Sequence, residues 1–218
     1  MLVKHMEANK HGRDFVVGDV HGELDLLTRL MEMIGFDKSV DRLFGVGDLI
    51  DRGPDSLGVV ALLREPWFFS VRGNHEDMML RALTGNDAAL RMWLNNGGLW
   101  VHGELTERPE GVDDAADLVD ALPLVIVVGG AWQVAHAELL VTDEDVDAGI
   151  IELQGDVLWA RELIAGKDKS PGFRPTFVGH TPVANVKRRD NHYFIDTGGT
   201  FNGRLTAVEP RTMKVWTT

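Results

Sequence analysis

Apolar positions along this 218-residue chain fall into two alternating patterns. DFVVG at 14–18, RLFGVG at 42–47 and WFFSV at 67–71 are short, nearly continuous apolar runs of the kind that form buried strands. Between them the spacing lengthens. In GELDLLTRLMEMIGF (22–36), Leu24, Leu27, Met31 and Ile34 recur at helical intervals. DSLGVVALLRE (55–65) reads as a second helix, capped by Asp55 and stopped before Pro66, and a third begins near Glu76. This strand–helix alternation predicts βαβ units and an α/β fold. After a Gly-rich stretch at 95–105, expected to be a loop, VDDAADLVDALP predicts a helix with an Asp cap. The second half is richer in strands. LVIVVGGAWQVAHA predicts a hairpin turning at Gly129 and Gly130, followed by TFVGH, HYFID, LTAVE and MKVWTT. The N-terminal residues, with His5 and His11, are expected to be a mobile terminus. With no repeat, low-complexity tract or long linker, residues 1–218 are expected to form one domain.

Composition narrows the class. Hydrophobic residues make up 44% and charged residues 26%, as in an ordinary soluble globular protein. No run approaches 18 apolar residues and the start lacks a signal-peptide core, so neither a membrane partner nor export is expected, and a cytoplasmic location follows. Cysteine is absent, which excludes disulfides, thiolate metal sites and cysteine nucleophiles. A net charge of −12 argues against a sequence-independent grip on nucleic acid, although a bound metal can reverse the local sign for a small phosphorylated substrate.

Five segments then repeat one grammar: an apolar strand, a glycine or tight turn, and side chains competent to bind metal. They carry Asp19 and His21; Asp48, Asp51 and Arg52; Arg72, Asn74 and His75; His136; and His180. Ligand groups gather beyond the carboxyl ends of strands in open α/β sheets, so the clusters could meet at one rim. Asp19 and His21, two apart, point to the same side of an extended backbone.

The ordered set GDVHG, GDLIDRGPDS, RGNHE, HAEL and GHTP resembles the phosphoprotein phosphatase family of the calcineurin-like metallophosphoesterase superfamily, in its short bacterial and phage form. The resemblance implies a β-sandwich of two mixed sheets flanked by helices. It also implies a two-metal site: Asp19, His21 and Asp48 on one ion, and Asp48, Asn74, His136 and His180 on the other. Carboxylate, amide and imidazole donors without thiolate suit manganese, the expected metal, or iron, with zinc compatible. By the same resemblance, Arg52, Arg72 and Arg161 hold phosphate, His75 is the general acid and Asp51 its carboxylate partner. The implied reaction is hydrolysis of phosphoserine or phosphothreonine, and of phosphotyrosine in some relatives, in protein or peptide substrates. Symmetrical bis(5'-nucleosyl)-tetraphosphatases carry the same motif set and are the alternative. A metal-free phosphopeptide-binding module would be expected to lack a ligand or the acid, and none is missing.

Several look-alikes are set aside. Asp143 to Gln154 mimics a calcium loop but has Ala148 where a glycine turn is needed and Gln154 in place of a bidentate Glu. GVGDLI lacks the third glycine of a dinucleotide fingerprint. His192 is expected to be structural. Asp196 is either a turn former or an acceptor for a ligand imidazole, and His102 is expected to be an ordinary loop residue. The segments at 95–103 and 143–175 are expected to form the rim that selects substrate.

Overall fold

The computed structural model describes residues 2–101, 110–151 and 155–218. In chain order the elements are β1 (Val3–Met6), β2 (Asp14–Val17), α1 (Leu24–Ile34), β3 (Arg42–Gly45), α2 (Ser56–Ala61), β4 (Phe68–Ser70), α3 (Asn74–Leu83), α4 (Asp87–Asn95) and α5 (Val112–Asp120). They continue with β5 (Val125–Val128), β6 (Trp132–Ala135), α6 (Asp143–Asp147), α7 (Gly155–Trp159), β7 (Thr176–Val178), β8 (Lys187–Arg189), β9 (His192–Phe194), α8 (Gly199–Asn202), β10 (Thr206–Glu209) and β11 (Lys214–Thr217). Two sheets form, with strand orders β11-β10-β2-β3-β4 and β1-β5-β6-β7-β9-β8. Both are mixed: β2, β3 and β4 run parallel while β10 and β11 pair antiparallel, and the second sheet combines the β5–β6 hairpin with parallel β6–β7 and β7–β9 pairs.

Both faces of the central strands are covered, which explains their unbroken apolar sequence. Val16, Phe44 and Val208 from one sheet meet Ile126, Val128, Val134 and Phe177 from the other in a shared inner core. The alternate residues Phe15, Val17 and Leu43 turn outward to meet Leu26, Leu27, Leu30 and Ile34 of α1. On the far side, Val125, Val127, Ala135 and Val178 pack with Leu139, Val146 and Leu163. The expected sandwich of two mixed sheets flanked by helices is what forms. No helix among the described residues is long and apolar enough to cross a membrane.

Three local expectations are corrected. The N-terminal segment is not a loose end: β1, containing His5, adds parallel to β5 at the sheet edge. The α5 helix has no Asp cap; Gly111, with φ of 90°, is its N-cap, and Asp113 and Asp114 sit in the first turn where they favour the helix dipole. The Gly-rich stretch is partly a 3-10 turn, Gly98–Val101, with Val101 buried; His102 lies outside the described residues. Asp55 does cap α2, its carboxylate accepting from Gly58 N at 2.7 Å. Asp143 and Asp145 serve the short α6 turn: Thr142 and Asp145 form a capping box, and Asp143 accepts from Phe173 N and Arg174 N. Gln154, at the end of the calcium-loop look-alike, lies outside the described residues. His192 is buried, accepting from Leu139 N at 3.0 Å, and burial lowers its pKa to about 4, consistent with a structural residue.

Candidate active site

The turns after β2, β3, β4, β6 and β7 meet at one end of the sandwich. Their backbones are unusual. Among the described residues seven non-glycine positions have positive φ, and five of them are site candidates: His21 (45°), Asp48 (50°), Asp51 (73°), Arg52 (70°) and His180 (64°). Left-handed backbone outside glycine costs of order 1 kcal/mol or more per residue and persists only where the surroundings enforce it. Glu76 supplies part of that enforcement. Fully buried on α3, its carboxylate accepts from Asp48 N (2.9 Å), Leu49 N (2.8 Å) and Gly73 N (2.7 Å), tying the β3 turn to the start of the helix. Burial first, and the Asp48 charge second, raise its pKa to about 7. Gly73 is needed for the close approach, since a Cβ there would overlap Asp48 Oδ1. Gly179 likewise leaves room for the Asp19 carboxylate.

Two buried groups of donors form, both containing Asp48: His21, Asp48 and His75 in one, and Asp48, His136 and His180 in the other, with donor atoms within 4.8 Å of one another. Hydrogen bonding points the lone pairs inward. His21 Nδ1 lies 2.8 Å from Ile50 O and His136 Nδ1 2.8 Å from Val46 O, so each Nδ1 carries the proton and each Nε2 is a bare donor atom. His136 Nε2 faces Asp48 Oδ1 at 3.4 Å and Asn74 Oδ1 at 2.8 Å; His180 Nδ1 faces the same Asn74 oxygen at 2.9 Å. Burial keeps these imidazoles neutral, lowering the pKa of His21 and His180 to about 3 and that of His136 as well. Asp48 stays ionised: burial opposes this, but the neighbouring His75, whose own pKa is raised, and its backbone N–H, 3.1 Å from Oδ1, favour the charged form. Neutral imidazoles and an ionised carboxylate converging lone pair to lone pair fit divalent cations, and the thiolate-free set fits hard or borderline ions.

Asp19 is buried beside these groups, both its oxygens accepting from His180 N at 3.2 and 3.0 Å. Burial, and then the Asp196 and Asp48 carboxylates, raise its pKa well above the usual range. Asp196 is also buried and raised, to about 6, and accepts from Gly198 N at 2.8 Å. It therefore forms a turn and adds to a knot of carboxylates whose repulsion a bound cation would relieve.

His75 and Asp51 form a buried couple, with Nδ1 2.6 Å from Asp51 Oδ2. Asp51 is fully buried and also accepts from two indoles, Trp93 Nε1 at 2.9 and 3.0 Å and Trp100 Nε1 at 2.6 Å. Burial alone lowers the His75 pKa, but the Asp48 charge and the Asp51 hydrogen bond raise it above its ordinary value. The Arg52 guanidinium spans the mouth, Nη1 donating to His21 Nε2 at 2.6 Å and Nη2 to His75 Nε2 at 2.9 Å. The exposed Phe201 ring packs against it at 5.3 Å.

The other two arginines differ. Arg72 is not aimed into the cluster: Nη2 is held by the backbone carbonyl and the carboxylate of Asp120, at the end of α5, while its buried Nε has no partner among the described residues. Arg161 lies on no helix; it is exposed on a turn after α7. Its charge contributes to lowering the His136 and His180 pKa values, and Trp159 two residues earlier packs edge-on against His180 at 5.8 Å.

Sequence reasoning missed Glu76, Trp93 and Trp100, and also Glu138, buried two residues beyond His136 with its carboxylate on Leu163 N and Ile164 N. The two glutamates lie inside blocks already singled out, RGNHE and HAEL, which is a readable signal. The tryptophans stand 42 and 49 residues from Asp51 with nothing local to mark them.

The pattern described as Calcineurin-like phosphoesterase matches residues 15–202, and the chain belongs to that family. Among curated relatives, "Serine/threonine-protein phosphatase 1" of Salmonella typhimurium is 37% identical over 94% of this chain and 95% of its own length. "Serine/threonine-protein phosphatase 2" of Escherichia coli K12 is 34% identical over 92% and 94%. A symmetrical bis(5'-nucleosyl)-tetraphosphatase of Dechloromonas aromatica is 41% identical, but over 58% of this chain and 44% of its own. Among solved structures, one assigned as a diadenosine tetraphosphatase shares the fold with a TM-score of 0.75 at 23% identity, over 100% of this chain and 97% of that one.

Proposed function

We propose that this protein is a metal-dependent phosphatase acting on phosphoserine and phosphothreonine in proteins, with phosphotyrosine a further candidate substrate. What carries the reading is the extent of the likeness to the two protein phosphatases. It runs through more than nine-tenths of both chains at 37% and 34% identity, whereas the symmetrical tetraphosphatase likeness covers less than half of that relative and the full-length structural likeness to a diadenosine tetraphosphatase stands at 23% identity. The His75–Asp51 couple agrees, because a serine alkoxide is a poor leaving group that needs a proton.

In this reading Asp19, His21 and Asp48 hold one ion and Asp48, Asn74, His136 and His180 the other, with manganese the expected metal and the cytoplasm the expected compartment. Two divalent ions there supply, when bound, Lewis-acid polarisation of phosphoryl oxygens and acidification of water. Arg52, Arg72 and Arg161 bind the phosphate through charge-assisted hydrogen bonds. Arg72 must first exchange Asp120 for the substrate. Arg52 moves onto the phosphate and thereby uncovers His75 Nε2, which Nη2 covers in the structure. His75, held by Asp51, then carries a proton at Nε2 to the departing oxygen, while the indoles of Trp93 and Trp100 keep the carboxylate in place.

The test is kcat/KM, in manganese, for a phosphoserine peptide, a phosphotyrosine peptide and diadenosine tetraphosphate. The phosphoserine peptide is expected to be preferred over the dinucleotide. Preference for the dinucleotide overturns this reading in favour of the tetraphosphatase alternative.

A further inference from the structure

Arg161 is exposed on a turn, which ordinarily gives a long side chain no fixed direction, yet that turn is anchored on both sides to the strand end that bears His136. On the N-terminal side, Ala137 N donates to Val157 O at 2.8 Å. On the C-terminal side, the carboxylate of Glu138 accepts from two consecutive amides, Leu163 N at 2.7 Å and Ile164 N at 2.8 Å. Glu138 is fully buried, and among the described residues the two amides are its hydrogen-bond partners and no arginine or lysine pairs with it. Those amides are the orphan donors of a short helical turn, in which Ala165 N reaches back to Arg161 O at 3.2 Å and Lys167 N to Glu162 O at 2.8 Å. Leu163, fully buried against Leu139 and Val178, pins the same turn from below. A carboxylate two residues beyond His136 therefore sets the distance between that histidine and the residue three before Ile164.

We infer that Glu138 is a positioning residue for the phosphate site: by gripping the Leu163 and Ile164 amides it holds the Arg161 turn over His136 and His180, so that Arg161 meets the phosphoryl group preorganised. This rests on the reading of Arg161 as a phosphate ligand. An ordinary buried glutamate in a structural turn would affect stability alone. A positioning role predicts an effect on phosphate that depends on Arg161.

Glu138→Gln is the informative change, since an amide keeps the shape but offers a single acceptor, and its NH2 opposes a backbone N–H. Inorganic phosphate binding to the manganese-loaded protein, measured by calorimetry, should weaken about ten-fold or more in Arg161→Ala, as expected for loss of a charge-assisted hydrogen bond. Glu138→Gln should show several-fold weakening with unchanged metal content, a raised KM and a smaller change in kcat. The double variant should bind phosphate no worse than Arg161→Ala alone. Weakening in Arg161→Ala but none in Glu138→Gln, or fully additive losses, overturns the inference while leaving the phosphatase reading intact. An Arg161→Ala protein with unaltered phosphate affinity overturns it as well. Failure of the unaltered protein to turn over phosphopeptides counts against the phosphatase reading, and the phosphate isotherms still decide the role of Glu138. If Glu138→Gln does not fold, Glu138→Asp, which keeps the charge but cannot reach both amides, is expected to give the same pattern, and wild-type phosphate affinity in it counts against the role.

Discussion

Replacing Asp51 with Asn tests the acid couple most sharply, because its surroundings dictate how the amide must sit. Asp51 Oδ1 takes the Trp100 indole N–H at 2.6 Å and Oδ2 takes His75 Nδ1–H at 2.6 Å, with Trp93 Nε1 within 3.0 Å of both. An indole can only donate, so the single carbonyl oxygen of Asn has to remain opposite Trp100. The NH2 then faces His75 Nδ1, which must give up its proton and accept. Protonation of both ring nitrogens becomes unfavourable, and the acid is lost although the imidazole stays in place. A general acid contributes about 10²- to 10⁴-fold, equivalent to roughly 3–5 kcal/mol of barrier. A phosphoserine peptide should lose that much in kcat. p-Nitrophenyl phosphate, whose leaving group departs without a proton, should lose far less. Any remaining rate should have its alkaline limb at lower pH, since Asp51 helps to raise the His75 pKa and that limb marks loss of the His75 proton. Equal losses on both substrates, or more than about a tenth of the alkyl activity retained with normal metal content, would refute the reasoning.

Asp48 belongs to both donor groups, so Asp48→Asn should lower the occupancy of both ions, checked by elemental analysis; full retention would contradict the shared role. Metal removal should destabilise the protein more as pH rises from about 4.5 to 7. Asp196 (about 6), Glu76 (about 7), Asp19 and His75 all have folded pKa values above their unfolded ones, so their contribution to stability is lost as pH rises through the folded value, and melting temperatures in chelator at each pH read this directly. Asp120→Ala should tighten inorganic phosphate binding about two- to five-fold by loosening Arg72, the modest factor reflecting an ion pair whose carboxylate is largely exposed and a backbone carbonyl contact that the substitution leaves in place.

Much of the fold and of the donor set was legible in the sequence because both are written locally. The runs DFVVG, RLFGVG and WFFSV become strands covered on both faces, and each donor sits within a few residues of its strand end. What stayed hidden lacks such a local trace. Val3–Met6 is too short and mixed to show a period, and pairs only because Val125–Val128 offers an edge. Lys187–Arg189 contains no apolar residue to mark it, yet it is the exposed edge strand of its sheet, where charge discourages further pairing. The direction of the Arg72 side chain depends on Asp120, 48 residues away, and no pattern in RGNHE reveals it.

The left-handed turns at His21, Asp48, Asp51, Arg52 and His180 carry a consequence for anyone seeking to toughen this enzyme. At each of them glycine is the residue the main chain prefers, yet glycine carries no imidazole, carboxylate or guanidinium. Selection for heat resistance alone would therefore erode the centre at these five positions first, and selection for turnover would restore them, so gains in durability compatible with activity should arise elsewhere.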